Sequence, residues 1–123
     1  LISVDTKTIT FAIQSQVLPI RMVATDSRPP VSFTFKDEDG SVINLTGATV
    51  RFKVRKKGTT TLTNPSTNIA DLDNPTSGVA VYRWTAIDLP SSGDYEAQLS
   101  VLFPDGRTQT LSTVITIAVT PMF

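Results

Sequence analysis

Apolar side chains recur at every second position of this chain, in segment after segment. Val31, Phe33 and Phe35 alternate with Ser32, Thr34 and Lys36, and Val50, Phe52 and Val54 alternate with Arg51, Lys53 and Arg55. Tyr95, Ala97, Leu99, Val101 and Phe103 share one face of a later segment; Thr113, Ile115, Ile117 and Val119 share one face of the last. Successive side chains of an extended strand point to opposite faces, so a period of two predicts strands with one buried face. Ile9, Phe11 and Ile13 predict a further strand near the start. Leu18, Ile20 and Met22 predict another, at an edge or irregular position because Pro19 has no N–H to donate. Val79 to Thr85 is apolar on both faces.

Turn signals separate these segments. Asp37-Glu38-Asp39-Gly40 predicts a tight turn, since Gly accepts positive φ, and Ser41 to Asn44 a short returning strand. Leu45-Thr46-Gly47-Ala48 and Pro104-Asp105-Gly106-Arg107 turn the chain again. The polar stretch 56–78 has room for at most two short edge strands, near Thr60–Thr63 and Asn68–Leu72. A helical pattern survives for only one turn, at Thr85–Leu89. The expected fold is all-β, an antiparallel β-sandwich of about 7–9 strands.

Composition narrows what such a sandwich does. A chain of 123 residues makes one domain. We divide it into an N-terminal strand or arm, residues 1–24, packed on the domain or on a neighbour, and a sandwich, residues 25–123. Eleven basic and eleven acidic residues cancel, so no global field draws in nucleic acid or an anionic membrane. Without Cys there is no disulfide or thiolate chemistry; without His the commonest general base and metal ligand are missing. No apolar run approaches the roughly 18 residues of a membrane span, and no charged-then-apolar signal opens the sequence. The expectation is a protein that is not an enzyme, carries no cofactor and takes no small-molecule substrate.

One stretch makes the sandwich more specific. Leu89-Pro90-Ser91-Ser92-Gly93-Asp94-Tyr95 has the spacing of the tyrosine corner, in which a Tyr hydroxyl bonds backbone a few residues upstream. Leu89, Gly93 and Tyr95 are its structural residues, and the sandwich is expected to be immunoglobulin-like. In antibody domains a Cys stands two residues after this Tyr; here the residue is Ala97.

The run from Pro29 to Val54, with its Asp-Gly hairpin and Asn44-Leu45-Thr46-Gly47-Ala48-Thr49-Val50, resembles the N-terminal domain of phage baseplate upper proteins and related immunoglobulin-like modules of phage tails and baseplates. Gly78-Val79-Ala80-Val81-Tyr82, the Leu89 to Ala97 corner and Phe103-Pro104-Asp105-Gly106-Arg107-Thr108 extend the resemblance over roughly residues 20–119. It implies location in a virion and an assembly role, with copies of itself and other virion proteins as partners, and it offers no catalytic residues.

Candidate sites each have an ordinary explanation beside the functional one. Asp37-Glu38-Asp39 and Asp71-Leu72-Asp73-Asn74 offer oxygen ligands for Ca²⁺, but acidic residues at turns are usually solvated turn formers. Arg51, Lys53, Arg55 and Lys57 form a basic stripe about 20 Å long, fit for an acidic protein surface or simply solvated and paired with Asp94 or Glu96. Tyr82 and Trp84 suggest a sugar-stacking platform, or the large aromatics a sandwich core needs. Asn44-Leu45-Thr46 matches a glycosylation sequon and reads equally as a turn. Ser91 and Ser92 beside Asp88 lack a His or Lys base in the sequence nearby. The possible interface comprises Ile9, Phe11, Ile13, Leu18, Met122 and Phe123, too apolar for free tails, with Arg51, Lys53 and Arg55. Two functions follow: a structural virion module of a bacteriophage that mediates protein–protein assembly, or a surface adhesion or carbohydrate-binding sandwich.

Overall fold

The computed structural model describes residues 10–13, 20–28, 30–37, 39–85, 87–111 and 114–122. Among these, nine strands form two sheets. They are β1 (Thr10–Ile13), β2 (Ile20–Val23), β3 (Val31–Lys36), β4 (Thr49–Lys56), β5 (Asp71–Asn74), β6 (Val79–Tyr82), β7 (Gly93–Leu102), β8 (Thr108–Thr110) and β9 (Ile115–Thr120). One sheet runs β1-β3-β6-β5; the other runs β2-β9-β7-β4, with β8 also on β7. The central members correspond to the two sheets of the immunoglobulin sandwich, A-B-E-D facing G-F-C.

The alternation seen in sequence is the alternation of burial. Val31, Phe33 and Phe35 on β3, Val50, Phe52 and Val54 on β4, and Tyr95, Leu99 and Val101 on β7 are wholly buried. Where antibody domains tie the sheets with a disulfide, this chain stacks rings. Phe52 of the second sheet lies 5.2 Å from Phe33 and 4.8 Å from Tyr82 of the first, centroid to centroid, and 5.6 Å from Trp84.

The sandwich is not wholly antiparallel. β2 pairs with β9 in parallel, Ile20 opposite Ile117 through Val23 opposite Thr120, whereas the other strand pairs are antiparallel. These two strands come from opposite ends of the chain, so no tight hairpin dictates their direction.

Three short elements also differ from the sequence reading. The edge strand expected near Thr60–Thr63 does not form, and a single bridge, Arg55 to Leu62, takes its place; the one expected near Asn68–Leu72 forms slightly later, as β5 (Asp71–Asn74) at the edge of its sheet with an irregular register, preceded by a bridge from Arg51 to Ile69. Ser41–Asn44 likewise contributes one bridge, Lys36 to Val42. Asp88 N–H bonds Thr85 O at 3.1 Å, a turn-type contact, while the one short 3₁₀ helix among the described residues lies at Pro75–Ser77. Gly78 ends that helix with φ +73°, and a Cβ there would sit 2.7 Å from Phe35 O and 2.9 Å from Ile43 O. The backbone packing at this point admits only Gly.

The turns around Leu45, Gly78 and Pro104, which carried part of the family resemblance, meet at one end of the sandwich. Leu45 N–H donates to Pro75 O at 2.8 Å, and a Cβ on Gly47 would lie 3.1 Å from Cγ of Pro104. The Asp88 to Ala97 stretch closes the opposite end.

Candidate interaction surfaces

At that opposite end Leu89 is buried and its carbonyl accepts from Thr25 N–H at 2.8 Å, which fastens the chain leaving β2. Gly93 opens β7 with φ +130°. The Tyr95 hydroxyl donates to Ser91 O at 2.8 Å and accepts from Ser91 N–H at 3.3 Å. Tyr95→Phe is expected to cost on the order of 1–2 kcal/mol in denaturant unfolding, because both Ser91 backbone groups lose a partner. A neutral result would show that the hydroxyl does not hold this corner.

A buried polar cluster escaped the sequence reading. Asn64 and Asp88 are both 0 % exposed. Asn64 Nδ2 donates to Tyr82 Oη at 2.8 Å, and Tyr82 Oη donates to Asp88 Oδ2 at 2.6 Å. Asp88 also accepts from Thr85 N–H at 2.8 Å and Thr85 Oγ1 at 3.0 Å. Asp88 thus belongs to the core and does not serve Ser91 and Ser92. Burial, then the bond to Asp88, push the Tyr82 phenol well above its ordinary value of 10.0. Folding therefore favours the protonated phenol, and its stabilisation is complete below pH 10.0 and lost as pH climbs toward the folded-state value. Unfolding midpoints are expected to hold steady up to that pH and then fall, with a shallower fall in Tyr82→Phe.

The other candidate residues fall on the surface. Asp71 and Asp73 do not form a calcium loop: Arg83 bonds Asp71 Oδ2 at 2.7 Å and Asp73 Oδ2 at 2.9 Å. The Arg83 hydrogen bond also lowers the Asp73 carboxyl from its ordinary range. Asp37 Oδ1 accepts from Asp39 N–H at 2.9 Å and Ser41 N–H at 3.1 Å, and Asn44 Oδ1 from Thr46 N–H at 3.0 Å, so both side chains build turns. Among the described residues no group of three or more His, Cys, Asp or Glu is placed to hold a metal. Tyr82 and Trp84 are buried in the aromatic cluster and offer no stacking platform.

Lys56 Nζ, contrary to the reading that no Lys base lies near, comes within 3.2 Å of Ser91 Oγ, because β4 ends beside the corner. This contact is solvent-exposed.

On the outer face of the second sheet, Arg51 Nη1 bonds Asn68 Oδ1 at 2.9 Å and Arg55 Nε approaches Glu96 Oε1 at 3.4 Å. Lys53 and Arg55 line a cleft of about 130 Å³ with Leu62, Glu96, Gln98 and Val114. Lys57 lies in the turn after β4. Among the apolar terminal residues, Met122 is 58 % exposed, and Phe11 and Ile13 belong to β1. Ile9, Leu18 and Phe123 lie outside the described residues.

Fold and surface together define a disulfide-free immunoglobulin-like sandwich whose buried Asn64, Tyr82 and Asp88 are spent on holding the fold. The chain belongs to the BppU N-terminal domain family, whose model matches residues 4–120. It is accordingly a structural module of the phage baseplate and is located in the virion. The match begins earlier than the resemblance near residue 20 and takes in β1 and β2. Among solved structures, the chain is similar to CopC from Methylosinus trichosporium OB3b, with TM-score 0.49 and 17 % identity over 85 % of this chain and 86 % of that one. It is also similar to AggA, the major subunit of aggregative adherence fimbriae type I from Escherichia coli, with TM-score 0.41 and 18 % identity over 93 % and 94 %. No curated protein sequence matches.

Proposed function

We propose that this domain acts by assembly: it docks against neighbouring baseplate proteins and against copies of itself, and performs no chemistry. The observation that carries this is the family match over residues 4–120. Two structural facts support it. The buried polar groups Asn64, Tyr82 and Asp88 bond one another and not a cleft, and the one Ser–Lys contact described, Ser91 with Lys56, is open to solvent. The surfaces proposed for docking are the outer face carrying Arg51, Lys53 and Arg55 and the apolar terminal residues Phe11, Ile13 and Met122, together with Ile9, Leu18 and Phe123.

Cross-linking of intact phage particles through lysines tests this reading. Lys53, Lys56 and Lys57 are expected to join other baseplate chains. Particles that assemble complete baseplates without this domain, and lose only binding to a glycan array, would replace assembly with adhesion.

A further inference from the structure

On the outer face of the second sheet, β4 sets out three cations in a row. Arg51, Lys53 and Arg55 point outward at alternate positions, about 7 Å apart. Their register partners on β7 are Ser100, Gln98 and Glu96, so two of the three cations stand opposite a neutral side chain. Arg51 is bonded to the neutral Asn68 and Arg55 approaches Glu96, whereas Lys53 makes no ion pair among the described residues. The cleft around Lys53 also has aliphatic surface, from Leu62, bridged to Arg55 beyond the strand edge, and from Val114, 47 % exposed. At about 130 Å³ the cleft is well below the ~300 Å³ at which small-molecule sites begin, and suits a single aliphatic side chain.

A second copy of the chain is poorly equipped to fill it. Among the described acidic side chains, Asp71 and Asp73 are held by Arg83, and Asp105 by Arg107. Asp37 and Asp39 have partners of their own, and Asp88 is buried. Glu96, Asp94 and Asp26 are left. Glu96 and Asp94 project from β7 on the same outer face as Lys53, and Asp26 lines a second cleft with Arg21 and Arg28. Arg21 stands in the row of Ala118 and Asp94, so it too belongs to this face. Laid against itself, the face would set Arg21, Arg51, Lys53 and Arg55 against their equivalents with Asp94 and Glu96 alone to offset them. Like charges brought together in this way are costly.

Building on the assembly reading, we propose that the Lys53 cleft takes an acidic segment of a different baseplate protein. One aliphatic side chain of that segment covers Leu62 and Val114, and a neighbouring carboxylate meets Lys53. The cationic row selects the partner and speeds the encounter, while the covered apolar surface holds the complex once formed.

Carbodiimide cross-linking of intact phage particles, which joins an amine directly to a carboxylate in contact with it, tests the proposal. Lys53 is expected to be joined to an Asp or Glu of another baseplate chain, next to an aliphatic residue. A synthetic peptide with that cross-linked sequence should bind the full chain about tenfold less tightly in Lys53→Glu at about 0.05 M salt. The difference should shrink toward about 0.5 M as charges are screened. Lys53→Gln carries the comparison if Lys53→Glu does not fold. Val114→Ser should weaken binding severalfold at either salt, because it acts on the apolar contact. Lys53 joined only to acids of its own sequence, or to none, would overturn the proposal. Lysine-to-lysine links to other baseplate chains without any link from Lys53 to a carboxylate would leave the assembly reading intact and remove only the acidic partner. A single-stranded DNA oligonucleotide retained by the full chain and released by Lys53→Glu, with no such link in particles, would put nucleic acid in place of the protein segment.

Discussion

Phe52→Ala is expected to cost about 3–5 kcal/mol, the range for emptying an aromatic position in a packed core. Phe52 is wholly buried on β4 and its ring touches Phe33 and Tyr82 of the facing sheet as well as Trp84. Neighbouring rings in this geometry add about 0.5–1.5 kcal/mol per pair beyond their buried area. The chain has no disulfide to hold the sheets together when this contact is lost. Since a domain of this size has a total stability of about 5–15 kcal/mol, the variant should unfold at far lower denaturant or fail to accumulate folded. Phe52→Leu keeps much of the volume and should cost under about 2 kcal/mol. A loss below about 1.5 kcal/mol for Phe52→Ala, with unchanged denaturant slope, would mean that the cluster does not join the sheets.

The strands that surround Phe52 were legible because their signal is local. Val31 to Phe35, Val50 to Val54, Tyr95 to Val101 and Ile115 to Val119 each repeat every two residues, and each is buried on that face in the fold. The outward position of Arg51, Lys53 and Arg55 came from the same alternation. What could not be read depends on residues distant in sequence. The parallel pairing of β2 with β9 joins the two ends of the chain. Asn64 stands between Thr63 and Pro65, where Asn is ordinarily a turn former. Only the approach of β4 and Tyr82 makes it a core residue. Asp88, which the sequence sets beside Ser91 and Ser92, becomes a core residue in the same way, through Tyr82 and Thr85. Arg83 clasping Asp71 and Asp73 had a partial signal, since two acids at a period of two share one strand face.

Asn64→Leu should cost roughly 3 kcal/mol, because one side chain satisfies three groups that no water reaches. Its Oδ1 accepts from Val54 N–H at 2.9 Å, and its Nδ2 donates to Phe52 O and to Tyr82 Oη, each at 2.8 Å. The amide imitates a piece of neighbouring strand. Around it, Thr63 N–H bonds Val54 O, Phe52 N–H bonds Asn68 O and Ala70 N–H bonds Val50 O, at 2.7–2.8 Å. Together these seal the outer edge of β4 along most of its length. An open strand edge is a template for pairing with any other chain, so sealing it confines association to side-chain surfaces. The expected signature is specific: hydrogen exchange of the Val54 amide accelerates more than that of Val101, which sits across the sheet in the β4–β7 ladder. Asn64→Asp keeps the acceptor for Val54 but sets a carboxylate oxygen against Phe52 O, so it should protect Val54 and still destabilise. If Val54 exchanges no faster in Asn64→Leu, the backbone edge is held by the 62–70 segment as a whole and the amide is dispensable. If it does, one side chain decides whether the domain offers its neighbours a backbone edge or only the charged face beside it.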